Sequence, residues 1–294
     1  MIPIGFSLQP DERFVELLEG LLRSSIDYYE VAPETLWRID PSGALVPNGF
    51  HQKFAELGKR DDKAFVAHGV GFSMGGAGHG DDARRKQWLE RVTRDQHTFR
   101  FQWYTDHLGA TALGGLSMTL PIAMPMTAHT ASLVRASLAQ LQTIVPEVGI
   151  ENSVSYFTLG SPLDEPRFLA RILCAPRMHL LLDLHNVYTM SQNFGFEAEA
   201  YLARLDLSKV IEIHLSGGSS SEPAWLSSGK TLRLDAHDGA VPERVWKLFE
   251  LVAPRCSALR GVTIERMEGT VEPGDVPLLF EEVRRARRIA RSLS

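Results

Sequence analysis

Eight short apolar stretches constrain the fold of this chain, because each has the length and composition of a buried β-strand. They occupy residues 2–6, 26–32, 63–68, 99–107, 147–151, 178–183, 209–215 and 261–265. Seven of them lead to an Asp, Glu or His at or just past the C-terminal end. These strand-end residues are Glu30, His68, Asp106, His107, Glu151, Asp183, His214 and Glu265. Ionisable side chains at this recurring position indicate that the C-terminal ends of the strands form a functional site.

Segments with apolar residues at helical spacing alternate with the strands, at intervals of roughly 30 to 40 residues typical of βα units. They lie at 12–24, 130–145, 166–174, 198–205, 241–253 and 277–293. The sequence contains no internal repeat and no Pro/Ser-rich linker, so we predict one domain over residues 1–294. The predicted fold is an α/β (β/α)8 barrel of the TIM type.

The C-terminal ends of all strands in such a barrel meet at one rim, where active sites of this architecture lie. That rim would gather several carboxylates and several histidines. Like charges so close together are costly unless a cation lies among them. The sequence therefore predicts one or more metal ions at the rim. Long Gly- and Ser-rich segments at 69–82, 108–119 and 216–230 follow three of the strands and predict a substrate pocket above it.

Composition excludes several classes of partner. A net charge of −5 over 294 residues gives no reason to expect nucleic acid or an anionic membrane surface. No apolar run approaches the roughly 18–20 residues of a membrane span, and the N-terminus lacks the pattern of a signal peptide. Cys174 and Cys256 are the two cysteines, which favours free thiols in a reducing compartment. We therefore expect a cytoplasmic protein.

Two Asp-x-His pairs are the sharpest local signals for metal binding. Asp235 and His237 lie in LDAHD, and Asp183 and His185 lie in LLLDLHN at a strand end. Residues two apart in an extended chain point to the same side, so the members of a pair could reach one ion together. The alternative is a surface turn with incidental charges.

Isolated strand-end residues extend this candidate ligand set. His68, His107 and His214 each end an apolar run and precede a glycine within three residues, which lets another group approach closely. Glu151 and Glu265 could each bridge two ions. The alternative for these carboxylates is an ion pair with Arg266 or another arginine at the barrel mouth.

Four further residues are candidates for orienting ligands or for contacting a substrate. Asp106 would face away from the side of its neighbour His107 and could orient an imidazole. Asn152 and Asn186 directly follow ligand candidates, and Glu34 follows the second strand.

A competing interpretation comes from residues 71–75, which fit the G-x-S-x-G nucleophile elbow of α/β-hydrolases. That motif needs a helix directly after the serine, Ser73. The glycine-rich residues that follow form helices poorly, so the sequence disfavours a serine hydrolase.

Taken together, the motifs resemble those of one family, the multinuclear non-heme iron oxidative enzymes known as the DUF692 domain. The matching segments are HGVGFSMG, DHLG, ENSVSY, LLLDLHNVY, EIHLSGG, LDAHD and TIE, in this order along nearly the whole chain. The family includes the methanobactin oxazolone-forming enzyme and the iron enzyme of the 3-thiaglutamate pathway. The resemblance implies a xylose isomerase-like barrel.

The resemblance also implies a ligand set, two or three iron ions in mixed Fe(II)/Fe(III) states, and dioxygen as co-substrate. The implied metal ligands are His68, His107, Glu151, Asp183, His185, His214, Asp235, His237 and Glu265. Among them, Asp183, His185 and Asp235 are the expected catalytic residues. Two departures from the commonest family pattern are His185 in place of Asn, and Ser216 to Gly218 in place of Ala-Gly-His.

The expected function is oxidative modification of a ribosomally made precursor peptide, most plausibly at a cysteine side chain, with a small companion protein presenting the leader peptide. The alternatives are a redox-silent divalent-metal isomerase or phosphodiesterase on the same kind of barrel, and a non-catalytic peptide-binding scaffold. We expect three metal positions. The first has His68, His107 and Glu151; the second has Asp183, His214 and Glu265 and shares Glu151; the third has His185, Asp235 and His237.

Overall fold

The computed structural model of the chain describes residues 1–76, 81–113 and 116–293. Eight parallel strands form a closed barrel, in which each strand pairs with its neighbours in the spatial order β1-β12-β11-β10-β9-β6-β5-β2. The strands are β1 (Ile4–Ser7), β2 (Tyr28–Val31), β5 (Ala64–Gly69), β6 (Tyr104–His107), β9 (Val148–Glu151), β10 (Met178–Asp183), β11 (Val210–Leu215) and β12 (Gly261–Ile264). The predicted (β/α)8 barrel is confirmed.

Helices connect successive strands of the barrel. They are α1 (Glu12–Ser24), α2 (Gly49–Asp61), α3 (Asp81–Phe99), α4 (Ala128–Gln142), α5 (Glu165–Ile172), α6 (Leu184–Phe194), α7 (Ala198–Leu202), α8 (Glu243–Val252) and α9 (Val276–Arg291). Two antiparallel hairpins are inserted after β2 and β6. They pair β3 (Trp37–Ile39) with β4 (Leu45–Pro47), and β7 (Ala110–Leu113) with β8 (Leu116–Ile122).

Amphipathic helices pack on the barrel through apolar residues that recur at helical spacing, as the sequence predicts. In α1, Phe14, Leu18 and Leu22 are buried on one face, and Asp11 accepts a hydrogen bond from the backbone of Phe14 that satisfies a free N–H at the helix start. Within the described residues, no helix has both the length and the apolar character needed to cross a membrane.

The sequence-based prediction differs from the structure in two places. The fourth predicted strand begins too early, because α3 continues through Phe99 and only Tyr104–His107 joins the barrel. The helices α2, α3 and α6 were not predicted. Of these, α6 matters most for the site, since it begins at Leu184, immediately after β10.

The barrel interior below the rim contains a buried polar network. Glu212 of β11 accepts hydrogen bonds from Tyr28, Trp103 and Thr263 at 2.9, 2.5 and 2.6 Å. All four side chains are buried. The carboxylate therefore connects β11 with β2, with β12 and with the segment that leads into β6. This network forms the floor of the barrel below the rim residues.

Candidate metal centre

The C-terminal rim brings together the strand-end residues that the sequence singled out. Each lies at the last or next-to-last position of its strand, or directly after it, so the closed barrel places them around one opening. Five are buried and His107 is half-buried. These residues are His68, His107, Glu151, Asp183, His214 and Glu265.

Two histidines from adjacent strands meet one carboxylate. Glu151 Oε2 lies 3.1 Å from His107 Nε2 and 3.6 Å from His68 Nε2, and the two imidazole rings stack with centroids 4.7 Å apart. His107 Nδ1 donates to the carbonyl oxygen of Gly69 at 3.1 Å. Because a carbonyl can only accept, the Nδ1 atom carries the proton and leaves a lone pair on Nε2 for a metal ion.

A third histidine lies between two carboxylates. His214 Nε2 is 2.8 Å from Glu30 Oε2, and His214 Nδ1 is 2.9 Å from Glu265 Oε2. Glu30 was counted among the strand-end residues but was not predicted as a ligand. Its proximity to His214 makes it a site residue, either as a ligand or as the group that orients the imidazole.

The loop after β11 supplies the LDAHD pair. His237 Nε2 is 2.8 Å from Asp235 Oδ1 and 3.8 Å from Glu265 Oε2. His237 has a φ of 50°, in the left-handed region. The chain is therefore not extended here. The two side chains do meet at the rim, but the prediction that they meet because the chain is extended is wrong.

The second Asp-x-His pair has a different geometry. Asp183 caps the start of α6, where its Oδ1 accepts a hydrogen bond from Asn186 N at 2.6 Å. His185 lies in the first turn of that helix and is fully buried, with its Nδ1 3.4 Å from Asp235 Oδ1. The backbone turns into a helix at Asp183, so extended-chain geometry fails for this pair also. The fold nevertheless places His185 beside the LDAHD loop.

The two candidate asparagines hold backbone and ligand groups in place. Asn152 Oδ1 accepts from Asp183 N at 3.0 Å, and Asn152 Nδ2 donates to Asp183 O at 2.9 Å. Asn186 Nδ2 donates to Glu151 Oε1 at 3.2 Å. Both asparagines therefore hold carboxylate-bearing residues of the rim in place.

Glu34 and Asp106 lie behind the rim. Glu34 Oε1 accepts from the backbone N–H groups of Val70 and Gly71 at 2.6 and 2.7 Å, which holds the turn after β5. Asp106 is fully buried, and burial together with the charge of Glu34 raises its pKa well above the usual range. The carbonyl of Gly69, and not Asp106, orients the ring of His107, which corrects the expected role of Asp106.

Burial and crowding shift the pKa values of the rim residues. Burial raises the pKa of Glu30 to about 7, against the opposing effect of His214. Burial and the like charge of Glu151 raise the pKa of Asp183 well above its ordinary value. Burial alone would lower the pKa of His68, but Glu151 outweighs it and raises that pKa to about 9. Without a cation these groups must hold protons, and a metal ion could take the place of those protons.

Unpartnered polar atoms test whether a metal fits. Within the described part of the chain, five buried atoms of candidate ligands at the rim make no hydrogen bond, although Glu151 Oε2, His214 Nδ1 and Glu265 Oε2 lie 2.9–3.1 Å from an ion-pair partner. A buried polar atom without a partner is rare in a native structure. Imidazole nitrogens and carboxylate oxygens are suitable ligands for iron, manganese and zinc, so the residues present fit such ions. The five atoms are Glu30 Oε1, Glu151 Oε2, Asp183 Oδ2, His214 Nδ1 and Glu265 Oε2.

Three sets of donor atoms could each hold one ion, since all atoms of a set lie within 4.8 Å of one another. The sets are His68 with Glu151 and His214, Glu30 with His214 and Glu265, and Asp183 with His237 and Glu265. They overlap, and Glu265 is the carboxylate that occurs in two of them. The sequence predicted three metal positions with other ligand groups, and these distances do not favour that grouping.

Close packing at Gly218 fixes the LDAHD loop. A Cβ at this position would lie 2.1 Å from Leu234 O and 2.9 Å from His185 Cε1. We predict that Gly218→Ala destabilises the protein by about 1–3 kcal/mol and weakens metal binding at Asp235, because the loop must move. Gly239→Ala is the control, since a Cβ there meets no atom within 4 Å. Thermal unfolding and metal titration of both variants test this, and equal behaviour would contradict it.

The competing interpretations are not supported by the geometry. Ser73 is buried, and its Oγ accepts from the backbone of Thr111 and Ala112 at 3.0 Å each. The next described helix starts only at Asp81, so no nucleophile elbow forms. Arg266 lies 3.8 Å from Asp275 and donates to the carbonyl of Thr270, so among the described residues it pairs away from the rim carboxylates.

A cavity of about 550 Å³ opens above the rim. Its floor includes His68, His107, Asp235, His237 and Glu265, and its walls include residues 121–123 at the end of β8 and 153–157 after β9. Of the three loops predicted to build a pocket, the first contributes residue 70, whereas no described residue of 108–119 or 216–230 lines this cavity. Residues 77–80 and 114–115 of these loops lie outside the described residues.

Comparison with known proteins identifies similar sequences. A family model described as the RiPP precursor modification enzyme MbnB/TglH/ChrH matches residues 4–291. A UPF0276 protein of Bordetella parapertussis is 34% identical over 265 residues, which cover 88% of this chain and 86% of that protein. A UPF0276 protein of Caulobacter vibrioides is 32% identical over 230 residues, 78% and 77% of the two chains.

Solved structures with low sequence identity share the fold. A xylose isomerase-like TIM barrel protein from Mycobacterium smegmatis, in complex with magnesium, has a TM-score of 0.61 at 14% identity and covers 100% of this chain and 98% of its own. Endonuclease IV from Thermus thermophilus has a TM-score of 0.55 at 13% identity, with 97% and 99% covered. The expected xylose isomerase-like barrel is confirmed.

Proposed function

The chain belongs to the MbnB/TglH/ChrH family of RiPP precursor modification enzymes, and from this premise we propose that it oxidises a ribosomally made peptide at a cysteine side chain, using iron and dioxygen. The observation that carries the proposal is the group of buried imidazole and carboxylate side chains at the rim, next to a cavity of about 550 Å³; among the described residues, five of their ligand atoms make no hydrogen bond. Family membership favours this function over a divalent-metal isomerase or phosphodiesterase.

The rim residues would hold two or three iron ions. Nitrogen ligands would come from His68, His107, His214 and His237, and oxygen ligands from Glu151, Asp183, Asp235 and Glu265, with Glu30 at His214. Bound iron would supply affinity for the substrate thiolate and the redox chemistry with dioxygen. The carboxylates would balance the charge of the ions. Asn152, which binds the backbone of Asp183, and Asn186, which donates to Glu151, hold these two carboxylate-bearing residues in fixed positions.

The cavity suits a peptide that lies across the rim. Tyr156 and Phe157 line it and remain 40% and 53% exposed. Phe157 also lines a smaller cavity next to Phe168, and Leu159 continues from there to a third cavity beside Arg167 and Arg171. These adjoining cavities could bind the residues that flank the modified cysteine, while the apolar side chains of Phe157, Leu159 and Phe168 would limit the access of water.

The direct test is aerobic turnover of a cysteine-containing precursor peptide by the iron-loaded protein, followed by mass spectrometry. The same peptide with serine in place of cysteine is the control. A companion protein, if the gene neighbourhood encodes one, is added in a parallel reaction. We expect a mass change that requires both iron and dioxygen. A bound peptide that stays unchanged would refute the proposal, and turnover with zinc in the absence of oxygen would favour the redox-silent alternative.

The LDAHD pair gives a prediction on metal content. Asp235→Ala and His237→Ala should each remove about one of the two or three ions and most of the activity. Each variant would take one of the two ligands that the LDAHD loop supplies away from the ion bound there. Metal analysis after dialysis measures the loss. His97→Ala is the matched control, since His97 lies on α3, outside the site. Full metal content in both LDAHD variants would show that the pair holds no ion.

A further inference from the structure

The smaller cavity that contains Phe157, named here the side pocket, adjoins the cavity above the rim. Four residues line both cavities, so a peptide bound above the rim could place one of its side chains in the side pocket. Most other residues that line the side pocket are apolar, and they include Met124, Met126 and Met190. Methionine side chains are flexible and adapt to the shape of an unbranched aliphatic chain. The four shared residues are Ala123, Ser153, Ser155 and Phe157.

One carboxyl group lies in this apolar surrounding. Glu165, the first residue of α5, lines the side pocket, and its Oε2 atom accepts a hydrogen bond from the hydroxyl group of Tyr201 at 2.7 Å. Tyr201 lies on α7 and is buried, so it fixes the position of the carboxyl group. Within the described part of the chain, the neighbours that act on the charge of Glu165 are Tyr201 and Glu151, and neither is a cation. The carboxyl group is therefore held in place without a cationic partner among the described residues.

The side pocket is suited to a positive charge at the end of an aliphatic chain. Burial raises the pKa of Glu165 to about 7, the hydrogen bond from Tyr201 opposes this rise, and the charge of Glu151 adds to it. A cation beside Glu165 would stabilise its ionised form. Phe157 and Phe168 also line the side pocket, and aromatic rings attract cations. A lysine side chain has the matching form, because it buries an apolar stem and carries its charge at the tip.

The contact with Tyr201 favours lysine over arginine. A guanidinium group binds a carboxylate best through both oxygens, whereas an ammonium group needs only one. Tyr201 already donates to Oε2 of Glu165, so a two-oxygen contact would compete with this hydrogen bond. The arginines of the same helix, Arg167 and Arg171, line the next cavity and not the side pocket.

We propose that the side pocket binds a lysine side chain of the precursor peptide, with the lysine ammonium group paired with Glu165. The aliphatic part of the lysine would pack against Phe168 and the methionines of the side pocket. This inference rests on the proposed peptide substrate and adds a feature of its sequence, a lysine close to the modified cysteine. Glu165 is then a residue that determines which peptides bind.

Peptide affinity tests the proposal directly. The probes are short fluorescein-labelled peptides with one cysteine and one lysine, in which the lysine is moved along an otherwise uncharged alanine–serine sequence. Norleucine, which has the same aliphatic chain without the ammonium group, replaces the lysine in a matched set. Fluorescence anisotropy with the zinc-loaded protein, at about pH 8 where Glu165 is ionised, measures binding without oxidation. For at least one lysine position we expect about 10- to 100-fold tighter binding than for norleucine. Equal or weaker binding of lysine at every position would overturn the proposal.

Two variants assign the lysine preference to one carboxylate. Glu165→Gln keeps an oxygen that can accept from Tyr201 but removes the charge, so it should bind the lysine and norleucine peptides equally. Asp164→Asn is the matched control, because it removes the charge of the adjacent residue, which lines the next cavity, and it should keep the wild-type preference. A preference that survives Glu165→Gln would also overturn the proposal, since another group would then recognise the lysine. Thermal unfolding shows that each variant is folded, and the comparison of peptides on the wild-type protein needs no variant.

Peptide binding and peptide oxidation fail separately. A peptide that binds through its lysine but is not oxidised by the iron-loaded protein would refute the proposed function and support the lysine site. Oxidation of peptides without any preference for lysine would refute the lysine site alone.

Discussion

Glu265→Ala is expected to remove two metal ions at once and to lower turnover more than about 100-fold. Glu265 follows β12 directly, and its Oε2 atom lies 2.9 Å from His214 Nδ1 and 3.8 Å from His237 Nε2. It is the carboxylate shared by two of the three candidate ligand sets. Its loss would leave two cations facing each other without the negative charge between them.

Glu151→Ala gives the decisive comparison. The sequence suggested Glu151 as the bridge, but the structure places it in one ligand set, with His68 and His214. We therefore expect this variant to lose one ion where Glu265→Ala loses two, as measured by metal analysis of both proteins. The reverse order would restore Glu151 as the bridge, and equal losses would refute a single bridging carboxylate.

Glu147→Gln provides a matched control next to the same strand. Glu147 precedes β9 at the opposite end of the barrel, where it pairs with His179 at 2.6 Å and with Arg260 at 3.2 Å. It is a carboxylate–histidine pair of similar geometry but lies far from the rim. This variant should keep its metal content and turnover, so any general effect of removing a glutamate charge can be recognised.

The barrel could be predicted from sequence because its strands are nearly continuous apolar runs, as expected of strands covered on both faces. Strand-end residues such as His68 and His214 then follow from topology alone, since all C-terminal ends meet at one rim. The start of β6 was placed too early because the apolar residues Phe99 and Phe101 continue the strand pattern. Phe99 instead ends α3 and packs against Phe65.

The helix α6 could not be predicted from hydrophobic periodicity, since most of its residues are buried and no polar face marks it. One signal was available, because Asp183 and Asn186 have the spacing of an N-cap residue and its partner. Recognising it would have shown that His185 lies on a helix. The contact between His185 and Asp235 depends on the path of the LDAHD loop, which sequence patterns do not specify.

Glu212 was missed as a site residue, although the alternation of strand side chains points to it. Glu212 and His214 are two residues apart in β11, so both face the barrel interior. Glu30, the next-to-last residue of β2, was noted near a strand end but not predicted as a ligand, and it meets His214 Nε2 across the barrel. A charged residue within an apolar strand, in phase with a ligand candidate, is a signal that the search for strand-end residues alone overlooks.

Glu212→Ala is expected to lower the free energy of unfolding by about 3–5 kcal/mol, as when one partner of a buried charged network is removed. The substitution would leave Tyr28, Trp103 and Thr263 without their acceptor in the barrel floor. For a chain of this size the midpoint of thermal unfolding should fall by roughly 10 °C. Scanning calorimetry of the metal-free protein measures this, because bound metal would add its own stabilisation.

Two control variants separate the network from general effects of losing a glutamate. Glu212→Gln keeps one acceptor oxygen and should lose less stability than Glu212→Ala. Glu16→Ala, at an exposed position of α1, should change the free energy of unfolding by no more than about 0.5 kcal/mol. If Glu212→Ala unfolded at the wild-type temperature, the three donors would have found other acceptors. The floor would then not depend on this carboxylate, and the support that it gives to His214, 3.8 Å away, would have to come from Glu30 and Glu265 alone.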